Sequence, residues 1–170
     1  MKTIYVVRHA KSSWDFPQLS DHERPLISKG IKRTKLISEY LVKNNITVDL
    51  VVASHATRAL ETAKLISRAI GYPSDNIRIE RMIYHADADQ IFDQFYDIPD
   101  GVDSIMIVGH NPTFTNFANL FLSEKVDWLP TSGLVCINFD TDDWLKLPEA
   151  SSSVKFMITP RMLKEKKRQS

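Results

Sequence analysis

Residues 2–14 read KTIYVVRHAKSSW, and the change of character inside this stretch decides the fold. Ile4, Tyr5, Val6 and Val7 are β-branched or aromatic, the composition of a buried strand. The apolar run then stops on Arg8 and His9. In a core, both side chains would need partners. At the exit of a strand they line a crevice instead.

Outward from this strand, strand and helix patterns alternate. SKGIKRTKLISEYLVKN (28–44) predicts a helix with Ser28 at its N-cap and Ile31, Thr34, Ile37 and Leu41 on one face. VDLVVAS (48–54) is a second buried strand, and TRALETAKLISRAIG (57–71) a helix. The core stripe of that helix is Ala59, Ala63, Ile66 and Ile70, with Gly71 as C-cap and Pro73 as a stop. NIRIERM (76–82) is a weaker strand and DADQIFDQFYD (87–97) a short helix. DSIMIVGH (103–110) is a strong strand, followed by the helix NPTFTNFANLFL (111–122) with Asn111 at N-cap and Pro112 at N1. GLVCINF (133–139) and SVKFMIT (153–159) are closing strands, with EASSS (149–153) as a turn between them. Near-continuous apolar strands separated by helices predict a three-layer α/β sandwich, a mostly parallel sheet covered on both faces.

The chain has 170 residues, which fits one domain over residues 1–160 and a basic tail, RMLKEKKRQS, at 161–170. The tail reads as a solvated, fraying terminus. A formal net charge of +1 gives no global field that would favour nucleic acid or a membrane surface. The lone cysteine, Cys136, lies in an apolar run and reads as an inert buried thiol in a reducing compartment. Too few apolar residues precede Arg8 for a signal peptide, and no run is long enough to span a bilayer. The expectation is a cytoplasmic protein with neither nucleic-acid nor membrane partners.

In open α/β sheets ligands bind beyond the carboxyl ends of the strands. Here the first strand ends in Arg8-His9, the second in Ser54-His55 with Arg58 opening a helix, and the later one in Gly109-His110-Asn111. Two arginines, two or three histidines and two helix N-termini therefore converge on one edge. Like charges so close would repel unless an anion sits among them. The arginine fork suits phosphate, and a neutral imidazole is a competent nucleophile. His22 and His85 lack this strand-end context and read as ordinary residues.

These residues carry a resemblance. VVRHAKSSW, DHERPLISKG (21–30), SHATRALETA (54–63) and IVGHNP (107–112) occur in the order seen in the histidine phosphatase superfamily, the phosphoglycerate-mutase-like group. The chain looks most like its short bacterial phosphohistidine phosphatases, over roughly residues 3–160. The resemblance implies a metal-independent phosphatase that needs no cofactor and passes through a covalent phosphohistidine on His9. It implies that Arg8, Arg58 and His110 hold the phosphoryl oxygens, with Asn111 beside them, and that Asp21 and Arg24 belong to a loop over the pocket. Larger relatives place a glutamate general acid after the third strand; here MIYHADADQ (82–90) has Tyr84 and His85 in that region, and Asp21 is the remaining carboxylate.

That departure bears on substrate. A phosphate ester expels an alkoxide, whose conjugate acid approaches the pKa of water, about 15.7. A phosphohistidine expels imidazole, with a conjugate acid of about 6.5. The second needs far less proton donation, so a histidine-phosphorylated protein is the expected partner. A phosphatase of small esters and a catalytically silent phosphate-binding module remain the alternatives. Other hydrolases fit poorly. An arginine six residues after Cys136 is absent, since position 142 is Asp. Asp140 and Asp142 follow a strand, but Trp144 stands where a small residue is needed, and no metal-ligand spacing occurs.

Overall fold

The computed structural model describes residues 1–169; the last residue of the basic tail, Ser170, lies outside the described residues. Among the described residues one sheet forms from β1 (Lys2–Arg8), β2 (Leu50–Ala53), β3 (Arg78–Ile79), β4 (Ser104–Gly109), β5 (Leu134–Phe139) and β6 (Ser152–Ile158), in the order β3-β2-β4-β1-β5-β6. β1 pairs parallel with β4, and β2 with both β3 and β4, whereas β5 runs antiparallel to β1 and β6 antiparallel to β5. The sheet is thus mixed, with β5 the one reversed strand.

Strand periodicity builds two cores. Ile4, Val6, Val52, Ile105, Ile107, Val135 and Ile137 face one side. Tyr5, Val7, Val51, Ala53, Met106, Val108, Leu134 and Cys136 face the other. The first side is covered by α3 (Ala88–Ile91), α4 (Thr113–Asn119) and two 3-10 turns, through Ile91, Phe95, Phe114, Phe117, Trp144 and Leu147. The second is covered by α1 (Ser28–Lys43) and α2 (Thr57–Ile70), through Ile37, Leu41, Ala59 and Ile66, with Leu163 of α5 (Pro160–Gln169) packed against them. Each large side chain buried in this way contributes about 1.5–3 kcal/mol. Both faces of the central strands therefore hold their register, because a one-residue slip would exchange the two cores.

This topology makes the crevice. β1 and β4 are neighbours, yet the chain leaves β1 for α1 on one face and leaves β4 for α4 on the other. The space between two such connections is open at the carboxyl edge. Arg8-His9 and Gly109-His110 stand side by side there, with His9 N–H donating to the Gly109 carbonyl at 3.0 Å.

Several sequence expectations need correction. The α1 N-cap is Ile27 rather than Ser28. Its buried face runs through Gly30, Thr34, Ile37, Ser38 and Leu41, which turns Ile31 outward. Thr34 tolerates burial because its hydroxyl donates to Gly30 O and shares a 2.8 Å hydrogen bond with Ser132. α4 begins at Thr113, later than expected, and the predicted 87–97 helix splits into α3 and a 3-10 turn. The connection between β5 and β6 is more than a turn, since Trp144 and Leu147 within it are buried. The basic tail is not frayed: α5 packs Leu163 into the core and pairs Lys167 with Glu39 at 2.8 Å. Gly71 caps α2 in the left-handed conformation (φ 81°), as the sequence predicts. No helix of the described residues is long and apolar enough to cross a membrane.

The segment carrying His9 rests on α1 at one tight point. A Cβ on Gly30 would lie 2.4 Å from the Lys11 carbonyl oxygen and 2.9 Å from its nitrogen. Backbone cannot move aside as a flexible side chain can. Gly30→Ala should cost about 2 kcal/mol, in the range of overpacked sites, and lower Tm by about 4–8 °C. An unchanged thermal transition would show that the contact yields easily.

Candidate active site

His9 follows β1 directly and is buried. Its Nδ1 lies 2.7 Å from the Ala10 carbonyl oxygen. A carbonyl can only accept, so the proton sits on Nδ1 and the lone pair on Nε2. Ala10 N–H donates to the Thr62 hydroxyl at 2.9 Å, which itself donates to the Arg58 carbonyl at 2.6 Å. One α2 threonine thus ties the segment after His9 to the helix turn that carries Arg58. Burial, together with the positive charges of Arg58, Arg8 and Arg24, pushes His9 down to about 3.

His110 follows β4 and faces His9, ring centroids 5.3 Å apart. Its Nε2 lies 2.8 Å from Ser54 Oγ, which also accepts from Ala56 N–H. Burial and then the neighbouring His9 and Arg58 lower it to about 3. Arg8 donates from Nη1 to the Leu129 carbonyl at 3.0 Å, and its guanidinium is pushed below its usual value by burial and by Arg58. Three of these four residues keep a buried nitrogen with no hydrogen-bond partner among the described residues: Arg8 Nε, Arg58 Nε and His110 Nδ1. Buried polar groups are nearly always paired. Arg8 Nε and Arg58 Nε can only donate, whereas His110 Nδ1 donates or accepts according to the tautomer set at Ser54.

Asp21 is the counter-charge. A 3-10 turn at Asp21–Glu23 lays it over Arg58, whose Nη1 donates to the Asp21 carbonyl at 2.7 Å and Nη2 to Asp21 Oδ2 at 3.0 Å. Arg24 Nε meets the other carboxylate oxygen at 3.2 Å, and the Tyr84 hydroxyl also donates to Oδ2. Partial burial raises the Asp21 pKa, but Tyr84 and Arg58 outweigh it and bring it to about 2. Tyr84 is shifted up, by burial and by the carboxylate beside it.

The structure therefore brings together Arg8, His9, Arg58, His110, Asp21 and Arg24. Asn111 differs. Its Nδ2 donates to Leu129 O at 2.8 Å, and its Oδ1 accepts from Thr115 N–H and Thr115 Oγ1. It caps α4 from one position farther out than expected and steadies the carbonyl that holds Arg8. The α4 amides are thereby committed, since Phe114 N–H donates to His110 O. Of the two expected helix N-termini, this one has the amides of Phe114 and Thr115 occupied. At the mouth the sequence reading names Tyr84 and His55, takes His22 and His85 as ordinary residues, and misses Trp14 and Trp128. Tyr84 packs 5.2 Å from His110 and 5.3 Å from His55, His55 lies 5.6 Å from His22, and His85 lies 4.4 Å from Tyr84. Trp14 lies over Arg24 at 3.5 Å and Trp128 over Arg8 at 5.5 Å, and both remain exposed. Two tryptophans in polar loops, SSWDF and VDWLP, were the available signal.

Known proteins share the sequence pattern and the fold. A protein of Mycobacterium leprae, ML1117, is 30% identical over 167 residues, covering 91% of this chain and 100% of its own length. The phosphohistidine phosphatase SixA of Escherichia coli is 22% identical over 139 residues, covering 81% of this chain and 85% of that protein. The structure of the protein histidine phosphatase SixA complexed with tungstate superposes with a TM-score of 0.79 at 20% identity, covering 95% of this chain and 99% of the other. The model of the histidine phosphatase superfamily (branch 1) matches residues 4–82, which include Arg8, His9, Asp21, Arg24 and Arg58. On its motifs, its fold and that match, the chain belongs to the histidine phosphatase superfamily.

Proposed function

We propose that this chain is a phosphohistidine phosphatase acting on a histidine-phosphorylated protein. The observation that carries the reading is the pairing of a proton-fixed His9, lone pair on Nε2, with unpartnered N–H groups on Arg8 and Arg58. In the first step Nε2 attacks phosphorus and the bond from phosphorus to the substrate imidazole, protonated on its other nitrogen, breaks, its electron pair returning to that ring so that it leaves neutral. In the second, water attacks the phosphorus on His9, releasing phosphate and restoring the neutral imidazole. Phosphoryl transfer asks mainly for positioning and charge stabilisation, and the two guanidinium forks provide both. A Ser54 hydroxyl donating to His110 Nε2 leaves the proton on Nδ1, the orphan nitrogen, free for a phosphoryl oxygen. Asp21 and Arg24 cover the pocket; a phosphoryl group that takes the Arg58 fork replaces both the carbonyl and the carboxylate of Asp21 there.

The substrate class follows from the proton inventory. At neutral pH Asp21, held near 2, is ionised and has no proton to give. Tyr84 keeps its proton but is a weak acid, raised above its usual 10. This site suits a leaving group that needs little protonation. Among the described residues no group of three or more His, Cys, Asp or Glu could hold a metal ion. A small phosphate ester is the second reading, and the Tyr84–Asp21 pair is the observation in its favour.

His9→Ala should abolish nearly all turnover with the fold intact by circular dichroism. Wild type quenched during turnover, with a chelator present, should carry an acid-labile, base-stable phosphoryl label on the peptide containing His9. Label on His110 instead would reverse the assignment.

Turnover should fall steeply as the leaving group becomes more basic, from aryl phosphates and phosphohistidine to alkyl phosphates. Tyr84→Phe and Asp21→Asn should slow alkyl esters more than phosphohistidine. The measurement is kcat/KM across graded leaving groups; a flat dependence in wild type means an efficient acid is present and favours the ester reading.

The buried imidazoles also set a pH signature. His9 and His110 should stay neutral by NMR from about pH 8 down to about pH 5, well below the ordinary midpoint of about 6.5. The unfolded chain takes up these two protons near that ordinary value, whereas the folded rings resist until about 3. Stability should therefore fall as pH drops through this window. A midpoint near the ordinary value for either ring would show that the pocket is wetter than its burial indicates.

A further inference from the structure

A second charged feature lies outside the crevice. α1 and α5 flank a cleft of about 1170 Å³. From α1 it is lined by Lys29, Lys32 and Arg33, and from α5 by Arg161, Lys164 and Arg168. The spacings i, i+3, i+4 on one helix and i, i+3, i+7 on the other place each set on a single face. The residues between them anchor α5: Leu163 packs into the core and Lys167 pairs with Glu39. Two cationic stripes are thus held opposite each other. Glu165 is the one carboxylate in the lining and pairs with Arg161 at 3.2 Å. The other five cations make no ion pair among the described residues. The positive charges of Arg33, Lys11 and Lys164 crowd Lys29 enough to lower its pKa.

The cleft adjoins the catalytic crevice. Pro130 and Thr131 line it, while the preceding residue, Leu129, holds Arg8, and Ser132 N–H donates to the carbonyls of Arg8 and His9. Whatever occupies the cleft sits one loop away from the nucleophile.

We propose that this cleft docks an acidic segment of polypeptide carried by the protein substrate, an inference that rests on the phosphohistidine reading for its substrate but not for its ligand. From Lys29 to Leu36 the α1 wall spans about 10 Å at 1.5 Å per residue. An extended peptide covers that with about three or four residues. Leu36, Pro130 and Pro160 give the cleft an apolar component that suits aliphatic side chains between carboxylates. Single-stranded nucleic acid is bound largely by stacking on aromatic rings, and the lining has none. A polypeptide is therefore the better fit.

The test is fluorescence anisotropy with a labelled hexapeptide of alternating Glu and Ala, and a single-stranded hexanucleotide in parallel. Full-length wild type should bind the peptide at low salt, with vanadate in the crevice failing to displace it. The triple variant Lys32→Glu, Lys164→Glu, Arg168→Glu should weaken binding at least about 10-fold, the size of a contact worth one decade in affinity. Its turnover of an aryl phosphate should match wild type. The milder Lys32→Ser, Lys164→Ser variant should weaken peptide binding less strongly and likewise leave aryl phosphate turnover unchanged. On a phosphohistidine protein, both variants should raise KM and leave kcat alone. No peptide binding by wild type, equal binding by the variants, or tighter binding of the hexanucleotide each overturns the proposal. So does loss of peptide binding only in step with aryl phosphate turnover. Peptide binding as expected, with no phosphohistidine protein hydrolysed, retains the cleft as an acidic-peptide site and removes the substrate reading alone.

Discussion

The structure turns on crowding of positive charge at the carboxyl edge of the sheet, beyond β1 and β2 on either side of β4. Burial and then the Arg58 charge depress Arg8, and burial keeps both strand-end imidazoles neutral beside them. Such an arrangement opposes folding unless something negative offsets it. Asp21 supplies that charge from a short 3-10 turn, through Arg58 and Arg24. Its side chain is 49% exposed, so the ion pairs add little to stability, about 0–1 kcal/mol each. Their importance is local: the backbone carbonyl and the carboxylate of Asp21 together occupy the Arg58 fork.

What holds the cations in place is the two-sided core and a small set of polar ties. β1 and β4 are parallel neighbours, so their two exits are adjacent by register, Arg8 opposite Gly109. Thr62 joins the segment after β1 to α2, and Ser54 braces His110. The Leu129 carbonyl is shared by Arg8 and Asn111, so the loop after α4 positions a guanidinium from β1. Each tie links elements far apart in sequence. The site is therefore as rigid as the packing of the whole sheet.

The same packing explains why the basic C-terminal segment is a helix. Its charges alone argue for a solvated terminus, and on that basis the sequence expectation was a frayed tail. Leu163 reaches the core beside α1, and burying it orders the turns on either side. The cationic residues are then fixed on the outward faces, where they meet the stripe of α1.

The sequence by itself determined the layered architecture, because strands buried on both faces must be continuously apolar and β1, β2, β4 and β5 are. It determined the four principal polar residues too, since a polar residue that ends an apolar strand has only the sheet edge to occupy. Asn111 was visible by the same argument, but its side chain turns back to Leu129 and Thr115, a choice set by the loop packed against it. Only the tertiary structure decided the roles of Asp21, Tyr84, Trp14 and Trp128. They lie on loops and short turns whose local sequence has no period to read. They reach the pocket through contacts across the fold, Tyr84 meeting Asp21 from 63 residues away. Local patterning encodes burial and direction, whereas the meeting of distant loops follows from where the packed sheet leaves them.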